Sequence, residues 1–195
     1  MAIRIKDKWH RSGRNRPTPK SLQDNAGALA FIGWRVALDR AQELNREGFR
    51  YDSDIERVGV ISELVAFEIH VADRLAYDFL EDEDREIFIN ALGQRLADHM
   101  QDNLSDLDGP RNYRDAFIAL LNERLAGYAT LSFEDTKPGF DSLRYLGSKV
   151  LEVLGDDQTN RWVLDQIVAV EGPEVAEKIG KSVLNLLSVP KDDGN

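Results

Sequence analysis

Six prolines punctuate this chain, at Pro17, Pro19, Pro110, Pro138, Pro173 and Pro190, and all fall outside the stretches where apolar residues recur at helical spacing. Proline lacks the backbone donor and clashes with the preceding turn, so its placement outlines the uninterrupted helices between. The long proline-free stretch from Pro19 to Pro110 repeats apolar residues every three or four positions. An all-α fold follows: a helical bundle of about seven helices, four longer N-terminal ones with a C-terminal helical cap.

The first helix is expected from Ser21 to about Arg46, before Gly48. Ala26, Ala30, Gly33, Ala37 and Ala41 make a stripe of small residues along it, which lets a neighbouring helix approach closely. Ser53 and Glu56 have capping-box spacing and open a second helix that runs to about Leu80. This helix carries two apolar stripes. One joins Ile55, Val58, Val65, Ile69, Ala72, Ala76 and Phe79; the other joins Val60, Leu64, Phe67, Val71 and Leu75. A helix apolar on two sides sits at the centre of a bundle or packs one side against another subunit, and the central place is the expectation. Asp82 and Asp84 mark the start of a third, with Phe88, Leu92, Leu96, Met100 and Leu104 inward, and a fourth spans roughly Tyr113 to Leu131. A loop from Ser132 to Gly139 follows. Shorter helices then run over about Phe140–Leu154, Thr159–Val170 and Glu174–Leu187, the last two separated by Gly172-Pro173.

Charge divides the chain unevenly. Residues 1–20 hold seven basic side chains against Asp7, a net of +6 in a chain of net −10, so residues 21–195 carry −16. Residues 1–20 read as a basic arm, 21–188 as a single helical domain and 189–195 as a tail. An acidic body repels phosphate backbones and anionic lipid, so nucleic-acid binding is confined to the arm, where Trp9 and His10 sit among the cations. No apolar run reaches the ~18–20 residues of a membrane span, and no secretion signal is evident at the N-terminus. With no cysteine there is no disulfide framework, thiolate metal site or cysteine nucleophile, and a cytoplasmic protein is the expectation.

The residues richest in chemistry lie on the second and third helices. Glu63, His70 and Arg74 share a face, with Asp73 three beyond His70, and His99 and Asp102 share a face of the third helix. If the two faces met, a histidine–carboxylate cluster would suit zinc, iron or manganese. Helical di-metal proteins, however, pair glutamate and histidine three residues apart, and Glu68-Ile-His70 has the wrong step. The competing reading is an internal network of ion pairs and hydrogen bonds. No nucleophile-elbow, kinase, dinucleotide-binding or zinc-protease motif is present, so no catalytic residue and no cofactor is assigned. The expected function is binding another protein or a second copy of itself. The alternative is a metal-binding protein or metal-dependent enzyme built on the cluster around His70.

Overall fold

The first helix starts where a serine closes it. In the computed structural model, which describes residues 21–155, 157 and 159–188, α1 spans Leu22–Arg46. The Asp24 amide donates to the Ser21 hydroxyl (3.1 Å) and the Ser21 amide to the Asp24 carboxylate (3.2 Å). This reciprocal cap satisfies two amides that the helix leaves free. The expected arm and tail, residues 1–20 and 189–195, lie outside the described residues. The small-residue stripe of α1 is buried along its whole length and faces α2 (Asp54–Ala76), α3 (Asp82–Asp108) and α7 (Gly172–Leu187).

As its two apolar stripes predict, α2 is central. Every residue from Val60 to Ala72 is buried, because α1, α3, α4 (Arg114–Tyr128), α5 (Phe140–Leu154) and α7 all pack on this one rod. Ser53 caps it by accepting from the Glu56 amide (3.1 Å), whereas the Glu56 carboxylate turns to the Asp52 amide, one residue short of the expected box. The helix stops at Ala76 rather than near Leu80, where Asp78 and Phe79 donate three residues back and tighten the last turn. The ends of the first stripe therefore lie outside the core: Ile55 is 46% exposed and Phe79 38%.

In α3, Phe88, Leu92, Leu96 and Met100 are buried and Leu104 is half-buried. Asp82, Glu83 and Asp84 occupy its first turn, where carboxylates favour the positive end of the helix dipole. Phe117, Leu121 and Tyr128 of α4 point inward, while Leu120 and Leu125 are half-buried.

Two connections differ from expectation. The segment after α4 is a minimal antiparallel hairpin, with Phe133 opposite Pro138 and Glu134 opposite Lys137. Two-residue strands are too short to write an alternating pattern. The C-terminal helix, moreover, does not break at Gly172-Pro173. α6 (Val163–Gln166) continues through a π turn, Ile167–Glu171, into α7. There the Gly172 amide donates to the Ile167 carbonyl, five residues back. The wider turn accommodates Pro173, which cannot donate and would crowd an α-helical carbonyl. Glycine fits at 172 because a Cβ would lie 2.7 Å from Leu143 and 2.9 Å from the Ile167 carbonyl. The buried residues of this rod are Val163, Ile167, Glu171, Val175, Ile179 and Val183, together with Gly172. Glu171, at 0% exposure, accepts from Arg40 of α1 (3.2 Å) and from Gln166 (3.1 Å). Among the described residues no helix is long and apolar enough to cross a membrane.

Phe67 is fully enclosed at the middle of α2. Truncating it to alanine is expected to destabilise the fold by ~3–5 kcal/mol in urea unfolding. A loss below ~1 kcal/mol would contradict its place in the core.

Candidate functional site

The six polar residues singled out on α2 and α3 go separate ways. Glu63 is 2% exposed and grips Arg124 of α4 through both oxygens: Nε donates to Oε2 at 2.7 Å and Nη2 to Oε1 at 2.9 Å. These bonds hold the Arg124 guanidinium above its ordinary range. Such a planar, two-pronged contact compensates the desolvation of both charges.

His70 is buried two turns further along the same face of α2. Its ring stacks on Tyr128 of α4 (centroids 4.7 Å, 13° between planes) and meets the edge of Phe133 at 5.8 Å. Its Nε2 and the Tyr128 hydroxyl make no hydrogen bond among the described residues. Burial, helped by the nearby charge of Arg74, lowers the His70 pKa to about 4, so the imidazole is neutral at ordinary pH. Asp73 faces Arg85 at 3.8 Å, and Arg74 donates to the Ala129 carbonyl at 3.2 Å. His99 stacks on Trp34 of α1, with centroids 5.7 Å apart, and Asp102 is exposed.

The two imidazoles thus rest on different helices, α4 and α1. Among the described residues, no three histidine, aspartate or glutamate side chains stand together in a way that could hold a metal ion. What the structure brings together on α2 is an ion pair and an aromatic stack. Arg124 and Tyr128, the partners that make them, lie on a helix whose inward face reads from sequence as merely apolar.

A second feature carries no motif. Between α7, the hairpin and the end of α2 runs a groove of about 570 Å³. Leu75 and Phe79 come from α2 and its end, Pro138 from the hairpin and Leu143 from α5. Pro173, Ala176, Gly180 and Leu184 form the α7 wall. Asp78, Lys137, Glu177 and Lys181 rim it, with Glu177 and Lys181 paired to each other.

The hairpin tip stands at the groove's edge. Asp135 and Thr136 have φ of 50° and 64°, the left-handed region that two-residue hairpin loops require. Glycine and asparagine are its usual occupants, and a β-branched threonine there is strained. Behind the tip lies a polar recess of about 380 Å³, lined among others by Arg74, Tyr77, Arg85 and Phe133. Phe133, held against His70, ties this wall to the core. Compared with family models, with curated proteins and with solved structures, the chain matches none.

Two expectations follow. Arg124→Met leaves Glu63 buried and unpaired and should cost ~3–5 kcal/mol, whereas Glu63→Met combined with Arg124→Met should cost far less, both read by urea unfolding. The unfolded His70 imidazole takes up its proton near 6.5 and the folded one only near 4, so stability falls as pH drops through that window. The fall attributable to His70 is about 3 kcal/mol, and His70→Phe should remove it in unfolding curves taken from pH 7 to 4.

Proposed function

We propose that this protein acts by binding another protein, receiving an apolar helix of the partner in the groove between α7 and the hairpin. The observation that carries the reading is the groove's make-up: an apolar floor on four elements inside a rim of mixed charge. Recognition surfaces have this anatomy, with a desolvated apolar centre and a polar border. From Pro173 to Leu184 the α7 wall extends about 16 Å, the length of three turns of a docked helix. The strained tip at Thr136 supports the same assignment, since local strain of this kind collects at binding and switching sites. The titratable groups of the interior do not compete for the role. Glu63 and Glu171 are paired with arginines, and Glu68 and His70 are closed off from solvent. A chain free of cysteine supports a cytoplasmic setting for this activity.

A photo-cross-linking residue placed at Leu184, which is 44% exposed, should capture one discrete partner in cells, and the same residue at exposed Gln94 should not. The adduct should map to the apolar face of a partner helix. Ala176→Asp, at a half-buried position of the groove wall, should abolish it while the chain still folds and melts cooperatively, checked by circular dichroism. Equal labelling from positions 184 and 94 would overturn the reading.

A further inference from the structure

One carboxyl of α2 has no counterpart. Glu68 is 2% exposed, and neither of its oxygens makes a hydrogen bond among the described residues. It points to where four helices meet. Leu29 and Gly33 of α1, Leu92 and Leu96 of α3 and Ile179 of α7 close around it, leaving no room for a water molecule.

The shape of α1 is fitted to this carboxyl. A Cβ at position 33 would lie 2.6 Å from Glu68 Oε2, so the glycine leaves the carboxyl its place between α1 and α2. Elsewhere in the α1 stripe alanine fills the equivalent position. None of the side chains that α1, α3 and α7 present to Glu68 is titratable. Charged groups further off are engaged elsewhere. Arg40, two turns along α1 from Gly33, is held by Asp39 and Glu171; on α2, Glu63 is held by Arg124 and His70 lies against Tyr128.

We propose that Glu68 is a proton-operated latch: with the carboxyl neutral, α1, α3 and α7 close on α2 around it, and loss of the proton parts them locally so that water reaches the carboxylate. The physical reason is that an ionised carboxylate in a dry apolar site costs more than a local opening. Burial alone pushes the Glu68 pKa well above its usual 4.5. An opened or unfolded Glu68 releases its proton in the ordinary range, whereas the closed form retains it. The closed form therefore binds the extra proton, and rising pH draws the equilibrium towards opening by up to tenfold per pH unit. His70 acts in the opposite sense, but only below about 6.5, so above that pH the Glu68 trend stands without it. Ile179, which covers the carboxyl, lies between Ala176 and Gly180 of the groove wall, so opening also moves that wall. The latch does not depend on what the groove binds.

The test uses the full chain, with glutamate carboxyl carbons labelled for NMR. Glu68 is assigned by the signal missing from Glu68→Gln. Its carboxyl carbon should still report the protonated form at pH 6.5, when exposed glutamates have long since titrated. Amide exchange over residues 64–72, corrected for intrinsic rate, should speed up as pH rises above 6.5, by up to tenfold per pH unit until the closed-state carboxyl itself titrates, and stay flat in Glu68→Gln. A Glu68 that titrates near 4.5 in the folded protein, or one pH slope shared by both chains, overturns the proposal. Should Glu68→Gln fail to fold, the titration in the unmodified chain is decisive, with assignment from Glu68→Asp or through-bond correlations.

Discussion

The structure rests on the enclosure of a single helix. α2 has no wet side over thirteen consecutive residues, Val60 to Ala72, so its polar groups cannot be satisfied by turning outward. Each is settled in one of the few ways a dry interior allows. The Ser62 hydroxyl donates back to the Val58 carbonyl at 2.9 Å. Glu63 receives the guanidinium of Arg124, His70 sheds its charge and stacks on a tyrosine, and Glu68 lies against a glycine with its oxygens unbonded among the described residues. The neighbouring helices are shaped to these solutions: small residues on α1, an arginine and a tyrosine on α4.

The strongest periodic signals in the sequence translate directly into the fold. The two stripes of α2 and the small residues of α1 each impose a burial pattern that only a central helix and a close crossing satisfy. Helix ends and long-range partners carry weaker signals. Ile55, in the first turn of α2, and Phe79, beyond its last, continue the stripe in sequence, but both lie past the stretch that the neighbouring helices cover. The partner of Glu63 is sixty-one positions away, and no local spacing encodes a contact of that range. His70 and Glu68 illustrate a different failure. A step of two turns residues to opposite sides of a helix, which ordinarily puts one of them in water, yet here both sides are interior.

The groove is legible only in three dimensions because its walls come from elements with weak or misleading local signals. The hairpin is too short to alternate, and α7 is continuous with the preceding helix through a glycine–proline pair that normally marks an end. Its position is nevertheless tied to the interior, since Phe133 of the hairpin touches His70 and Ile179 of α7 covers Glu68. The surface proposed for recognition and the buried polar groups of α2 are thus separated by one layer of side chains.

The π turn in the last rod has a geometrical meaning. Val163, Ile167, Glu171, Val175, Ile179 and Val183 are buried at a regular beat of four. An ideal α-helix advances about 400° in four residues, so such a beat drifts about 40° at each step. A turn closed by a bond five residues back is wider and winds against that drift, bringing the strip back towards the neighbours it was leaving. The rod is therefore phased like two gears on one shaft. Gaining or losing a residue between Gln166 and Gly172 would rotate everything beyond by about 100°, swinging Val175 and Ile179 out of the interior and the groove wall out of alignment. Changes of length are tolerable at the ends of this shaft and not at its coupling.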